Sequence, residues 1–171
     1  MRRYLTTVTP SMARGYHASG EWQDDTLLDL VVRHAEVRPN APALVDERGT
    51  VTRAEMVVAV ETVAGMLADR GVVAGTPVLI QLPNSSIFGV ANVAISALGA
   101  VIVPLNLSMR AAEVVAVAER VGARTMIAAG LDARRGREAH LRRYRHRHGR
   151  FAVARRCHRS TLGMEPDRRR R

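Results

Sequence analysis

The sequence predicts an α/β fold, a partial doubly wound parallel sheet with flanking helices, and three observations carry that expectation. Short aliphatic runs at 78–82, 100–103 and 125–129 have the texture of strands buried on both faces. Longer stretches between them place apolar residues at helical spacing. Capping residues open those stretches and glycines close them. Parallel strands joined by helices need right-handed crossovers, so the three strands belong to one open sheet.

Each element has its own local signal. Thr26 followed by Asp29 has the form of a capping box, and Leu27, Leu30, Val31 and His34 then recur on one face until Pro39 stops the helix. The runs 43–45 and 50–51 flank Asp46-Glu47-Arg48-Gly49, which predicts a hairpin around a glycine turn. Thr52 and Glu55 repeat the capping box ahead of Met56, Val60, Val63, Ala64 and Leu67, and Gly71 is placed for a left-handed stop. The strand at 78–82 follows Gly75-Thr76-Pro77 and is expected in the sheet interior. Pro83-Asn84-Ser85 is expected to cap a helix over 86–98, apolar nearly all round and ended by Gly99. Ser108 is expected to cap the next helix, with Val114, Val117, Ala118 and Val121 on its buried face and Gly122 as its stop.

Composition sets the frame. A chain of 171 residues holds one domain with a real core, and with aromatics at 4% that core is aliphatic. The longest apolar run, 86–105, is broken by Gly89, Asn92, Gly99 and Pro104, so no helix of the ~20 residues a membrane span needs is expected, and a soluble protein is. Residues 1–20 carry Arg2, Arg3 and Arg14 without an acid, the charge of a mitochondrial-type transit peptide, but they lack a secretory apolar stretch. The single cysteine, Cys157, forms no internal disulfide, and a cytoplasmic location fits best.

All 26 basic residues are arginine; there is no lysine. Residues 1–133 hold 11 Arg against 13 acids, a net of −2, whereas 134–171 hold 15 Arg against 3 acids, a net of +12. This asymmetry divides the chain into a lead-in at 1–25, a folded part at 26–130 and an arginine-rich tail at 131–171. The tail has no apolar period long enough to define a buried face and is expected to be disordered or marginally helical.

Several constellations invite a chemical role, and each has a plainer explanation. His140, His146, His148, Cys157 and His158 match no standard zinc spacing and have no core to orient them. Asp24, Asp25 and Asp29 sit at a helix start, where the dipole favours acids. Cys157 lies near Arg155 and Arg156, which favours the thiolate, but no base is placed beside it. Ser85 and Ser86 stand at a strand-to-helix turn without the Gly-x-Ser-x-Gly pattern of a nucleophile elbow, and capping explains them better. Gly71-Val72-Val73-Ala74-Gly75 precedes a strand instead of following one, so it reads as a turn and not as a phosphate loop. No catalytic, cofactor-binding or metal-binding residue is assigned.

Ala43-Leu44-Val45-Asp46 leading to Val51-Thr52-Arg53-Ala54-Glu55-Met56, then 78–84, and above all Leu98-Gly99-Ala100-Val101-Ile102-Val103-Pro104-Leu105-Asn106, occur in a telling order and spacing. Together they resemble the adenylate-forming superfamily of acyl-CoA synthetases, aryl-acid ligases and peptide-synthetase adenylation domains, over residues 13–129. Ala13-Arg14-Gly15-Tyr16 through Gly20-Glu21-Trp22 to Thr26-Leu27 looks like the lead-in of ligases for small cyclic acids, of the cyclohexanecarboxylate–CoA or dihydroxybenzoate–AMP type. Arg53, where the family usually has tyrosine, and Thr76, where it usually has an acid, depart from the pattern.

The resemblance implies the N-terminal subdomain of an AMP-binding ligase. In the family, a carboxylate attacks the α-phosphate of ATP to give an acyl-adenylate, and the thiol of CoA then displaces AMP. ATP, magnesium and CoA are therefore implied for the full-length family, with a carboxylic acid as substrate. The family supports this chemistry with a Ser/Thr/Gly-rich phosphate loop ending in Pro-Lys-Gly, an acid for magnesium, an aspartate for the ribose and a lysine from a mobile C-terminal domain. None of these motifs occurs here, and a lysine-free chain supplies neither lysine.

The chain is accordingly expected to be a truncated N-terminal fragment of a carboxylic acid–CoA ligase or acid-adenylating enzyme, inactive alone and retaining no cofactor. Two other classes stand beside this. One is a non-enzymatic module whose tail, 134–171, binds nucleic acid nonspecifically. The other is an interaction protein whose partner chain completes the ligase. Arginine without lysine also fits a GC-rich gene read out of frame from about Gly130, which would place the missing loop in another downstream frame.

Overall fold

The computed structural model describes residues 8–128 and the backbone of 152–154. Its first half runs α1 (Pro10–Ala18), α2 (Leu27–Val37), β1 (Pro42–Asp46), β2 (Gly49–Thr52) and α3 (Arg53–Ala68). Its second half runs β3 (Pro77–Gln81), α4 (Ser86–Ala97), β4 (Val101–Pro104), α5 (Ala111–Val121), β5 (Thr125–Ala128) and β6 (Ala152–Ala154). The hairpin β1–β2 forms a two-stranded antiparallel sheet, and the second sheet is parallel in the order β4-β3-β5-β6. The expected α/β architecture is present, with β3 in the interior between β4 and β5.

Alternation along the strands divides the core into two. Val78, Ile80 and Ile127 meet α3 and α4 on one face, through Val60, Val63, Val90, Ala94 and Ile95. Leu79, Met126 and Ala128 meet α5 on the other, through Val114 and Ala118. Helices on opposite faces are what right-handed crossovers require of this strand order, since β3→β4 and β4→β5 run in opposite directions across the sheet. The hairpin lies against the outside of α4. Leu44 packs there on Gly89, where a Cβ would come within 3.1 Å of Leu44 Cδ1, so the small residue is what lets β1 approach.

Two elements were not anticipated. Thr9 caps α1, its side chain accepting from the Met12 N–H, and Pro10 occupies the first turn, where its missing N–H is no loss. The Thr-Pro pair was a legible signal. No residue of α1 is buried; the segment after it folds back so that the Trp22 N–H donates to the Tyr16 carbonyl at 3.0 Å, with the two rings 5.1 Å apart. The second is β6, which pairs parallel to β5 (Thr125 beside Ala152, Ile127 beside Ala154) and belongs to the arginine-rich stretch. Ala152-Val153-Ala154 is a small apolar trio within a charged sequence, suited to the free edge of β5. The rest of 131–171 lies outside the described residues.

The two capping boxes form as expected. Asp29 N–H donates to Thr26 Oγ1 at 3.2 Å and Glu55 N–H to Thr52 Oγ1 at 3.3 Å, with each carboxylate returning to the cap's own N–H at 2.7 Å. The hairpin glycine, Gly49, has φ +121°, and Gly122 closes α5 in the left-handed conformation. The two departures from the family pattern also have local explanations. The Arg53 guanidinium donates to the His34 carbonyl at 3.2 Å, tying α3 to the last turn of α2, and Thr76 Oγ1 accepts from the Val73 N–H at 3.0 Å, as a short acid would.

Three local expectations fail, each because tertiary contacts override a nearest-neighbour signal. The face of α2 expected to be buried included Leu27 and Leu30, yet these are 47% and 37% exposed, while Leu28, Val31 and Ala35 pack inward. Apolar residues spread over more than half of this helix, opposite Asp29, Arg33 and Glu36, so spacing alone does not choose which part of that arc is buried. Ser85 does not cap α4: its hydroxyl donates to the Pro83 carbonyl at 3.2 Å. Asp46, from β1, does so instead, its Oδ2 accepting from the Ser86 N–H at 2.9 Å and the Ser86 hydroxyl at 2.7 Å. Ser108 does not cap α5 either. It turns back onto Asn106 Oδ1, and the helix starts at Ala111 with Glu113 accepting from the Arg110 N–H at 2.7 Å.

The Asp46 cap yields a pH-dependent expectation. The Ser86 N–H holds the Asp46 carboxyl below the ordinary aspartate range, aided by the Ser86 hydroxyl, against a small opposing effect of burial. A depressed folded-state pKa means that the stabilisation is complete above the unfolded value of about 3.9 and is lost as pH falls through the folded value. Asp46→Ala is expected to cost about 1 kcal/mol at pH 7, the usual size of a lost cap. Urea unfolding of both proteins at pH 7, 5 and 3 checks this. The gap between them should narrow towards pH 3, and a constant gap would assign the cost to packing.

Candidate functional site

Open α/β sheets take ligands outside the carboxyl ends of the strands, where successive crossovers leave to opposite faces. Here that position lies between the ends of β3 and β5, since α4 follows β3 on one face and α5 precedes β5 on the other. Leu82-Pro83-Asn84-Ser85 leaves β3 at this edge, Leu105-Asn106 leaves β4, and Ala128 ends β5 beside Gln81.

A buried amide organises the edge. Gln81 is 5% exposed, and its Nε2 donates to the carbonyls of Asn106 at 2.9 Å and Met109 at 3.1 Å. The Leu105 N–H donates to the Ile80 carbonyl at 2.8 Å, and Asn106 Oδ1 accepts from the Ser108 N–H at 2.9 Å. The loop between β4 and α5 is thereby laid across the end of β3. Gln81 was read from the sequence only as a strand residue. The signal that singles it out is a lone polar side chain in the run Val78-Leu79-Ile80-Gln81-Leu82, which must find partners once buried.

Gln81→Leu keeps the volume and removes both donors, leaving two carbonyls to find water. A loss of about 1–3 kcal/mol is expected, with faster amide exchange localised to 105–110. Exchange that rises uniformly along the chain would deny Gln81 this local role.

The chemistry open to the edge is limited. The first turn of α4 points N–H groups outward, a setting that favours phosphate, but the Ser86 N–H is already held by the Asp46 carboxylate, whose charge opposes a second anion. Ser86 is buried, and the Asp46 oxygen that accepts its hydroxyl proton also accepts its N–H and belongs to a carboxyl of lowered pKa, a poor base. No nucleophile is set up there. Gly71–Gly75 forms the turn entering β3 at the amino end of the sheet, with the Gly75 N–H donating to the Gly99 carbonyl at 2.8 Å, away from the ligand edge.

Asp24, Asp25 and Asp29 do not act together. Asp25 pairs with Arg33 at 2.7 Å, Asp24 lies 3.6 Å from His17, and Asp29 completes the α2 cap, whose Thr26 hydroxyl and N–H lower its pKa. Among the described residues no group of three or more His, Cys, Asp or Glu side chains converges on a metal position. His140, His146, His148, Cys157 and His158 lie outside the described residues.

Comparison with known proteins bears on this geometry. The family model described as AMP-binding enzyme matches residues 31–162, past the charge boundary near 131–134. The chain is 36% identical over 86 residues to the vibriobactin-specific 2,3-dihydroxybenzoate-AMP ligase of Vibrio cholerae, covering 48% of this chain and 16% of that one. It is 33% identical over 118 residues to a 4-chlorobenzoate–CoA ligase of Arthrobacter, covering 68% and 23%. It also superposes on the apo structure of Mycobacterium smegmatis MbtA with a TM-score of 0.69 and 28% identity, over 84% of this chain and 26% of that one. The inhibitor-bound N-terminal domain of FACL13 from Mycobacterium tuberculosis gives a TM-score of 0.61 at 25% identity, over 68% and 29%. The chain spans 16% to 23% of the length of the two ligases.

Proposed function

Because the chain belongs to the AMP-binding enzyme family, we propose that it is the N-terminal part of a ligase that adenylates a carboxylic acid with ATP and passes the acyl group to CoA. The observation that carries this is the β3–α4–β4 unit, in which the segment Leu98–Asn106 runs up the parallel sheet to its carboxyl edge, together with acid-activating enzymes among the relatives. The described residues do not fit ATP or magnesium themselves. Carboxylates already engage the helix termini at the edge, Asp46 at α4 and Glu113 at α5, no carboxylate cluster is formed among the described residues, and the chain has no lysine. Phosphate and metal contacts therefore belong to parts of the family's longer chain, and this segment supplies a scaffold. It is inactive alone.

The organisation that accompanies this proposal is a lead-in at 1–25, which contains α1, a partial AMP-binding domain at 26–130 and an arginine-rich tail at 131–171. No helix among the described residues is long and apolar enough to cross a membrane. A cytoplasmic location accords with the single cysteine. The coding DNA beyond the codon for Ala129 tests the proposal. A Ser/Thr/Gly-rich loop ending in Pro-Lys-Gly, followed by the other ligase motifs in any frame, supports it. Their absence from all three frames would remove it.

A second reading rests on the net charge of +12 over 134–171, by which the tail binds polyanions without sequence preference. With about 12 excess charges releasing counterions, affinity for duplex DNA is expected to fall by about 10³-fold or more between 50 and 200 mM salt. Deleting 134–171 should abolish the binding in a fluorescence-anisotropy titration, and binding that survives the deletion would place the basic site elsewhere. Tyr144 and Phe151 are the tail's only aromatics, so base stacking is a minor part of this reading.

A further inference from the structure

We draw no further inference here: the strongest candidate, the exposed apolar stripe of α2 formed by Leu27, Leu30 and Val37, carries nothing because nothing in the structure shows what covers it.

Discussion

Given ATP, magnesium, CoA and a panel of aryl and aliphatic acids, the purified 171-residue chain is expected to exchange no pyrophosphate into ATP and to form no acyl-CoA. Adenylation needs positive charge and hydrogen-bond donors aimed at the α-phosphate as its charge develops, and losing even one such donor in related acyl chemistry costs about 10²–10³-fold in rate. Among the described residues no such set is formed. The chain has no lysine, the Gln81 amide nitrogen is engaged by two carbonyls, and the Ser86 N–H at the helix terminus is held by a carboxylate. The rate should be that of a mock preparation. Acid-dependent exchange far above that level would overturn the proposal, provided it tracks the fold. A trace rate unchanged in a variant with a broken core belongs to a contaminant.

Leu79→Ala supplies that broken core and is the substitution expected to cost most. Leu79 is fully buried on the central strand, in register with Val103 of β4 and Met126 of β5, and it meets Val114 and Ala118 of α5. Truncation there leaves a cavity between layers that the backbone ladder holds apart, at a cost of about 2–5 kcal/mol. That is a large share of the ~5–15 kcal/mol by which such domains are stable. Leu27→Ser on the exposed side of α2 should change stability by no more than about 0.5 kcal/mol. Denaturant midpoints at unchanged slope compare the two. Equal losses would mean that Leu27 is buried in solution and that the assignment of the two α2 faces is wrong.

The contrast between these leucines shows where local pattern stops being informative. Spacing places both in apolar periodic stretches, but a strand at 78–82 has few ways to be buried, whereas a helix whose apolar arc is as wide as that of Leu27, Leu28, Leu30, Val31, Val32 and Val37 has several. The choice among them is made by α3 and α4, which take Leu28 and Val31, with Ala35 buried on the same side. The same holds at helix starts. Thr26 and Thr52 cap as read because their partners, Asp29 and Glu55, are three residues away on the same helix. Ser85 fails because a stronger acceptor, Asp46, reaches the terminus from a strand about 40 residues earlier.

The site was less legible than the fold. Gln81 stands out in the sequence as a lone polar residue in an apolar run, but its partners, on the β4–α5 loop more than 20 residues downstream, are known only from the fold. The position between β3 and β5 becomes a ligand edge only once the strand order is known. Neither fact is encoded in a short motif.

What the sequence by itself determined is therefore the set of local elements: the strands, the capping boxes, the hairpin glycine Gly49, the helix stop at Gly122, and the absence of lysine. These follow from interactions within a few residues, or from composition, and need no knowledge of the fold. Only the tertiary structure decided which face of α2 is buried, which acid caps α4, which buried amide shapes the edge and that Ala152–Ala154 extends the sheet beside β5. Each of those is a competition between partners far apart in the chain, and its outcome depends on which of them packing brings within hydrogen-bonding or van der Waals distance.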